Sequence, residues 1–262
     1  MTNIVVLVKQ VPDTYSERKL TETDHTLDRE SADAVLDEIN ERAVEEALKI
    51  KEAGEGEVTV LCVGPDRATD AIRKALSMGA DKAVHVSDEA LHGSDLVATS
   101  RVIAAAIGKL DSVDLVIAGN EASDGRGGAV PAVVAELLGL PQLTHAHHLA
   151  VEGSTVKVDR ETADEGITHL EANLPALVSV TEKINEPRYP SFKGIMAAKK
   201  KPVETYTVAD LGIDAGEVGL ANAWSAVQSA SPKPPRQAGE RVEDDGEGGT
   251  KIAEYLVGQK LV

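Results

Sequence analysis

The sequence predicts a doubly wound α/β domain built around a mostly parallel β-sheet. Short, continuous apolar runs recur along the first half of the chain, and such runs are typical of strands that are covered on both faces. Segments with helical spacing of apolar residues separate these runs, and this alternation indicates right-handed βαβ units. The predicted strands are Ile4–Val8, Val58–Gly64, Ala83–Val86 and Val113–Ala118.

The first strand leads into a candidate ligand-binding loop. Pro12 ends the strand and directs the chain into a loop at the carboxyl edge of the sheet. Ligands of open α/β sheets bind at that edge, so Lys9, Asp13 and Tyr15 are candidates by position. A solvated loop without a ligand is the alternative interpretation.

Three helices are predicted between the four strands. A polar stretch without periodicity, Ser16–Ser31, precedes the first helix and is interpreted as an excursion over the surface. Gly54 and Gly56 end the first helix, Gly79 is the expected C-cap of the second, and the third spans about Ser94–Leu110. The apolar stripes of the first two helices are Ala43, Ala47, Leu48 and Ile50, and Ala68, Ile72, Ala75 and Leu76.

A glycine-rich turn, Gly119–Gly128, joins the fourth strand to a helix that ends at Gly139. Backbone N–H groups in such a turn, together with the helix dipole, can hold a phosphate, and Arg126 adds a cation. The pattern matches neither the Walker A motif nor the dinucleotide fingerprint, so the residues alone leave a phosphate site open.

From His145 onward the pattern changes to short strands. Leu149 and Val151 alternate on one side of Glu152–Ser154, and Val156 and Val158 on the other, which predicts a β-hairpin. Two further short strands are predicted at Ile167–Asn173 and Ala176–Val180.

Three histidines in this region raise the question of a metal site. No acidic or cysteine partner is close to them in sequence, so ordinary strand residues are the favoured interpretation. The histidines are His145, His147 and His148.

Segment 185–202 is the most unusual stretch of the chain. Pro187 and Pro190 favour extended backbone, Gly194 permits a turn, and Ile195–Lys201 is predicted as a short helix with lysines in its last turn. Phe192 is the single phenylalanine of the chain. It is either an anchor offered to another protein or a core side chain, and chemistry alone leaves both open.

Composition limits the class of protein. No run of 18 apolar residues is present, and the amino-terminal residues lack the pattern of a signal peptide. Cys62, the single cysteine, lies in an apolar run and suits a buried thiol in a reducing cytoplasm. The formal net charge of −17 argues against a nucleic-acid partner.

The acidic composition also suggests a hypothesis about the source of the protein. Acidic surfaces keep proteins soluble in strong salt, where repulsion between like charges is screened, and a salt-loving organism would fit. Stability is then expected to rise from low salt toward molar KCl. Unfolding measured across that range tests the hypothesis, and highest stability at low salt would count against it.

The sequence divides into two parts. Residues 1–212 are predicted as the α/β domain, including segment 185–202, and residues 213–262 as a linker with a carboxyl-terminal arm. Ser229–Gly249 is rich in proline, glycine and acids and has little to bury. Lys251–Val262 has near-helical apolar spacing and is expected to dock onto a partner subunit, with docking onto its own chain as the alternative.

The sequence lacks the motifs of a self-sufficient enzyme. It contains no HExxH, no CxxC, no nucleophile elbow and no kinase signature set. The residues therefore describe a nucleotide-binding scaffold that presents a recognition loop.

Four motifs resemble those of the electron transfer flavoprotein β subunit. Asn-Glu-Pro-Arg-Tyr at 185–189, followed by Ile-Met-Ala-Ala-Lys-Lys-Lys-Pro at 195–202, is similar to the signature of that family. Val-Lys-Gln-Val-Pro-Asp at 8–13, Ala-Val-Glu-Glu-Ala at 43–47 and Ala-Leu-Ser-Met-Gly-Ala-Asp at 75–81 extend the resemblance, which covers roughly residues 1–214.

The resemblance implies a fold and a function. The fold would be Rossmann-like, of the adenine-nucleotide α-hydrolase type. The chain would form a heterodimer with an α subunit that holds most of an FAD, carrying electrons from acyl-CoA dehydrogenases of fatty-acid β-oxidation and related dehydrogenases to a membrane quinone oxidoreductase. The β subunit would hold AMP, or a second FAD in electron-bifurcating members. An ATP-using enzyme or a nucleotide-sensing protein of the same fold is the alternative from a different class.

The resemblance also implies a set of cofactor-binding positions. Tyr15 is displaced by one residue from the place where the family has a tyrosine near the flavin ring. The other implied positions are Val8, Lys9, Asp13, Asp37, Cys62, Gly64, Asn120, Asp124, Gly125, Arg126, Gly127, Gly128, Ala129 and Val130.

The glycine-rich turn departs from the family pattern, which commonly reads Asp-Gly-Asp-Thr-Ala-Gln-Val-Gly. Here Arg126 replaces an acid, Ala129 replaces the glutamine, and Pro131 replaces a glycine. Loss of the glutamine removes a hydrogen-bonding group, whereas Arg126 could pair with a phosphate bidentately. AMP, a second FAD and an empty pocket all remain open at this point.

Segment 185–202 carries the implied partner-binding positions. The family commonly places a leucine there that inserts into the partner dehydrogenase, and Phe192 stands at that position. The expected partner-binding residues are Arg188, Tyr189, Phe192, Ile195 and Met196.

Overall fold

The computed structural model describes residues 2–162, 164, 166–236, 239 and 241–262. The elements run in chain order as β1 (Thr2–Val8), β2 (Gln10–Pro12), β3 (Ala34–Leu36), α1 (Glu38–Ala53), β4 (Gly56–Val63), α2 (Thr69–Met78), β5 (Lys82–Val86), α3 (Leu96–Ile107), β6 (Leu115–Gly119), α4 (Val130–Leu138), β7 (Gln142–Glu152), β8 (Thr155–Thr162), β9 (Gly166–Asn173), β10 (Ala176–Val180), α5 (Phe192–Ala198), β11 (Val203–Tyr206) and α6 (Gly248–Gly258).

A nine-stranded sheet in the order β11-β5-β4-β1-β6-β10-β7-β8-β9 forms the framework. Neighbouring strands from β11 through to β7 are parallel, and only the pairs β7–β8 and β8–β9 at one end are antiparallel. The predicted mostly parallel α/β fold is therefore confirmed, with the predicted hairpin forming part of an antiparallel extension.

The central strands are buried on both faces. Ile4, Val6 and Val8 of β1 belong to the core that also contains the apolar stripes of α1 and α2. Val5 and Leu7 point to the opposite core, which contains residues of α3 and α4. Full burial of a side chain of this size contributes about 1.5–3 kcal/mol, so continuous apolar strands suit a sheet covered on both sides.

Short polar residues begin and glycines end several helices. Asp37 caps α1 and Asp95 caps α3, each accepting hydrogen bonds from two backbone N–H groups of the first turn. Gly79 follows α2 with a φ of 146°, as its predicted C-cap role requires.

Two features of the sheet edges were not predicted. β2 and β3 form a separate antiparallel ladder that closes the base of the surface excursion. Pro12 lies at the end of this ladder, where its missing N–H is tolerated. β11 pairs with β5 and forms the edge of the main sheet. Both ladders are short, which explains why neither produces a clear apolar pattern.

The helix in segment 185–202 begins three residues earlier than predicted. α5 spans Phe192–Ala198 rather than Ile195–Lys201, because the Ser191 side chain caps it by accepting a hydrogen bond from the Gly194 N–H at 3.0 Å. Phe192 therefore occupies the first turn of a helix.

The chain divides into two compact units, the first reaching Gln228 and the second spanning Ser229–Val262. Residues 213–228, which the sequence groups with the arm, bond to the α/β unit, since the Leu220 N–H donates to the His92 carbonyl at 2.9 Å. In the second unit α6 exposes Ile252, Tyr255 and Val257. Residues 237, 238 and 240 of the predicted linker lie outside the described residues. Within the described ranges, no helix is long and apolar enough to span a membrane.

Candidate functional site

The carboxyl edge of the sheet contains a topological switch point between β1 and β6. The chain proceeds from β1 to β4 and β5 on one side, and then returns to place β6 on the other side of β1. Connections leave such a point in opposite directions and open a crevice for ligands. Lys9 directly follows β1 and Asn120 directly follows β6, so both lie at this crevice.

Asp37 joins the start of α1 to the glycine-rich turn. One oxygen of its fully buried carboxylate accepts hydrogen bonds from the Ile39 N–H at 3.0 Å and the Asn40 N–H at 3.3 Å. The other oxygen accepts from the Ser123 N–H at 2.8 Å. The expected cofactor-site residue therefore acts as a helix cap and as a support for the turn.

The end of β6 approaches α1 too closely for a side chain at residue 119. A Cβ atom on Gly119 would lie 2.6 Å from the Asn40 side-chain nitrogen. Asn40 is held there because its side-chain oxygen accepts a hydrogen bond from the Lys9 N–H at 2.8 Å. The three segments that form the crevice are thus fixed to one another.

Asp124 is a buried carboxylate in the crevice that pairs with two cations. Its side chain is 2% exposed and forms ion pairs with Lys9 Nζ at 2.8 Å and Arg29 Nη2 at 3.3 Å. Burial by itself raises the pKa of Asp124, but the two cations outweigh it and hold the pKa below the ordinary value of 3.8. Asp124 is therefore ionised at neutral pH and organises both cations.

The lowered pKa of Asp124 predicts an acid-dependent contribution to stability. Because the folded pKa lies below the unfolded one, the contribution is complete above pH ~4 and is lost as the pH falls through the folded pKa. Asp124→Asn is expected to destabilise the protein at pH ~7 and progressively less in acid. Unfolding of both forms across this pH range measures the effect, and a difference that is independent of pH would contradict it.

Two arginines of the surface excursion also reach the glycine-rich turn. Arg18 Nη1 donates to the Ser123 carbonyl at 2.8 Å, and Arg29 donates to the Gln10 carbonyl at 3.2 Å as well as to Asp124. Neither arginine was predicted as a site residue, because the polar excursion has no periodic pattern that places it over the crevice.

The second half of the glycine-rich turn is exposed, although the Arg126 N–H donates to the Ala122 carbonyl at 2.9 Å. Gly125–Gly128 are exposed, and a Cβ on Gly125 or Gly127 would meet no atom within 4 Å. Arg126 has a φ of 49° and a largely exposed side chain, 3.7 Å from the Glu121 carboxylate. No described side chain caps the N-terminus of α4, which begins directly after the turn.

Two buried polar atoms of the turn have no hydrogen-bond partner among the described residues. They are Asn120 Oδ1 and Ser123 Oγ. Buried polar atoms are usually satisfied, so unpaired atoms beside an uncapped helix N-terminus and an open backbone fit a bound group with phosphate and polar functions. The residues present therefore fit a group that carries a phosphate.

Segment 185–202 presents apolar side chains on the surface. Phe192 is 80% exposed, and Tyr189, Ile195 and Met196 are exposed beside it. Phe192 is therefore not a core side chain. Arg188 differs from these four residues, because its guanidinium group folds back onto Glu45 and Glu52 of α1.

Comparisons with known proteins agree with this geometry. An electron transfer flavoprotein domain matches residues 24–211. Electron transfer flavoprotein subunit beta of Mycobacterium tuberculosis is 64% identical over 100% of both chains. The subunit of the same name from Megasphaera elsdenii is 37% identical over 99% of each chain. The chain belongs to the electron transfer flavoprotein β subunit family.

One further relative of this family carries a different name. Subunit CarD of the caffeyl-CoA reductase-Etf complex of Acetobacterium woodii is 37% identical over 91% of each chain. The family thus includes a subunit of a complex with a named reductase.

The flavoprotein resemblance also implies Cys62, Tyr15 and Gly64, which have different structural roles. Cys62 is fully buried near the end of β4. Burial raises the pKa of its thiol to about 12, although the nearby Arg29 and Lys9 of the Asp124 cluster act to lower it. Tyr15 is 98% exposed, and its N–H donates to the Asp13 carboxylate at 2.9 Å. Gly64 follows β4 and packs near Ala68.

The three histidines of the antiparallel extension do not share one site. The His145 N–H donates to Ser179 Oγ at 3.0 Å, whereas His148 Nδ1 lies 3.8 Å from an Asp159 carboxylate oxygen. A second histidine, His169, also approaches Asp159, at 2.6 Å. No group of three side chains suited to a metal was found in the described part of the chain.

Proposed function

We propose that the chain is the β subunit of a heterodimeric, FAD-containing electron carrier. It would work with an α subunit, accept electrons from acyl-CoA and related dehydrogenases, and deliver them to a membrane quinone oxidoreductase. The observation that carries this proposal is the set of exposed apolar side chains on the short helix α5, with Phe192 at its start. Exposed aromatic anchors on a supported element are typical of protein docking sites.

The proposed role is that of a carrier without catalysis of its own. The described residues at the crevice form structural ion pairs and helix caps. FAD would supply the redox chemistry by accepting and releasing electrons. The described residues would position the cofactor and present the surface on which the donor protein docks.

AMP is the proposed ligand of the crevice in this subunit. The uncapped start of α4 and the backbone of the exposed Gly127 and Gly128 would receive its phosphate. Asn120 Oδ1 and Ser123 Oγ would take polar groups of the nucleotide. A second FAD, as in an electron-bifurcating complex, is the competing occupant, because its diphosphate could use the same N–H groups.

The second unit is proposed as a docking arm for the α subunit. α6 exposes Ile252, Tyr255 and Val257, and Leu261 is exposed beyond its end. A short helix with several exposed apolar side chains gains stability when a partner covers them. The cytoplasm is the proposed location, since the single cysteine of the chain is free and suits a reducing compartment.

Reconstitution tests the carrier role. The chain is co-expressed with its α subunit, and the purified complex is mixed with catalytic amounts of a medium-chain acyl-CoA dehydrogenase and octanoyl-CoA. Bleaching of the flavin absorbance that requires the dehydrogenase, and recovery on adding a quinone oxidoreductase with quinone, would support the proposal. A stable flavin complex that no dehydrogenase reduces would contradict it.

A further inference from the structure

Segment 185–202 is held at its amino-terminal end by the helix α1. Asn185 Nδ2 donates to the Arg42 carbonyl at 3.0 Å and to the Glu46 carboxylate at 2.9 Å. Three residues later the Arg188 backbone N–H donates to Glu45 Oε2 at 3.1 Å. The path of the chain into α5 is therefore fixed by both backbone and side-chain bonds.

The Arg188 guanidinium group is engaged by two carboxylates of α1. Its Nε and Nη2 donate to Glu45 at 2.8 and 3.1 Å. Its Nη1 and Nη2 donate to Glu52 at 2.5 and 3.0 Å. All three guanidinium nitrogens are thus used within the chain, in a bidentate geometry that only arginine provides.

The environment of this cluster makes it sensitive to the loss of a partner. The Glu45 side chain is 7% exposed, so its charge depends on Arg188 for compensation. Removing one member of a buried ion pair leaves the other charge unpaired, which costs more than the pair itself contributes. Glu52 is more exposed and can adapt through solvent.

The other end of segment 185–202 is held by the helix α2. Arg73 Nη1 donates to the Ala198 and Lys201 carbonyls at 2.7 and 3.0 Å. Lys201 Nζ donates to the Leu76 and Ala80 carbonyls near the end of α2, at 2.9 and 2.5 Å. A Cβ on Gly194 would lie 2.5 Å from the Ser77 carbonyl oxygen, so the glycine allows α5 to approach α2 closely.

We infer that Arg188 is a positioning residue that fixes the docking helix α5 by pairing with Glu45 and Glu52, and that it is not itself a contact to the partner protein. This inference differs from the expectation from the sequence that Arg188 binds the partner alongside Tyr189 and Phe192. The inference rests on the proposed docking role of segment 185–202. Glu45 of α1 would then contribute to partner recognition indirectly, by holding Arg188, although the Glu45 side chain itself is nearly buried.

Hydrogen exchange in the purified αβ complex tests the positioning role directly. In Arg188→Gln the amide groups of residues 189–198, other than Pro190, are expected to exchange about tenfold faster, which corresponds to about 1.4 kcal/mol of lost local stability. Exchange in the central strands should stay unchanged. Arg101→Gln is the matched control, since Arg101 is an exposed arginine paired with Glu217 and lies outside the segment.

Steady-state kinetics separates positioning from direct contact. With a medium-chain acyl-CoA dehydrogenase and octanoyl-CoA, Arg188→Gln is expected to raise the KM for the flavoprotein about tenfold at an unchanged kcat. Glu45→Gln should raise the same KM, and the double variant should show little more than the larger single effect, because both changes break one interaction. Arg188→Lys should recover only part of the loss, since lysine lacks the planar fork.

The outcomes distinguish this inference from the proposed function. Unchanged exchange in residues 189–198 of Arg188→Gln would overturn the inference, as would a normal KM for Glu45→Gln beside a raised KM for Arg188→Gln. If no dehydrogenase reduces even the unaltered complex, the proposed function fails. The exchange measurement would then still decide whether Arg188 fixes the segment.

Discussion

Replacing Phe192 with alanine is expected to reduce the rate constant for electron transfer from the dehydrogenase about thirtyfold, the equivalent of about 2 kcal/mol. Phe192 is 80% exposed, so its side chain contributes little to the stability of the chain itself. Buried in a partner, an aromatic ring of this size would become a central anchor of the interface. Flavin reduction at increasing dehydrogenase concentration measures the effect.

The matched control for Phe192→Ala is Ile167→Ala. Ile167 is another exposed apolar side chain of the same unit, but it lies on β9, outside segment 185–202. The Ile167→Ala variant should leave the rate constant for electron transfer unchanged. Equal rates for all three proteins would contradict the anchoring role of Phe192, and a loss of bound flavin in Phe192→Ala would point to a structural role instead.

Asp37→Ala is expected to have the largest effect on the crevice. The change removes the cap of α1, worth about 1 kcal/mol, and leaves the Ser123 N–H without its acceptor, at a further cost of about 2 kcal/mol. It also frees the glycine-rich turn from α1. We therefore expect a complex destabilised by about 3 kcal/mol that purifies with little bound nucleotide.

Asp95→Ala is a closely matched control for Asp37→Ala. Asp95 caps α3 through two N–H groups at 3.0 Å and also accepts a hydrogen bond from a distant backbone N–H, that of Trp224, at 2.7 Å. Its loss should destabilise the protein but leave the nucleotide in place. Urea unfolding measures the loss of stability in the two variants, and their nucleotide content shows whether Asp37 is specifically required for nucleotide binding. Full retention of nucleotide in Asp37→Ala would contradict the account.

The framework of the fold could be predicted because it depends on local patterns. Strands buried on both faces read as continuous apolar runs, as at Ile4–Val8, and the glycine-rich turn lies between a strand and a helix as predicted. The placement of Lys9 at the carboxyl edge followed from the same topology. These features follow from the local patterns once all βαβ units are taken to have the same right-handed connection.

The remaining features depend on contacts between distant residues. Arg29 and Asp124 are 95 positions apart, and Arg188 and Glu45 are 143 apart. Contacts between residues so far apart in sequence produce no local periodic pattern from which they could be predicted. The polar sequence of the surface excursion therefore gave no indication of the two arginines at the crevice. Arg188 was predicted to face a partner because it lies in the segment that resembles the family signature.

The measurement that tests the account most directly is a count of cofactors released from the purified αβ complex. We expect one FAD and one AMP per heterodimer, with the AMP lost in Asp37→Ala and retained in Asp95→Ala. Two FAD molecules and no AMP would mean that the crevice holds a second flavin, as in a bifurcating complex. A complex with no flavin, or no stable complex at all, would contradict the carrier function.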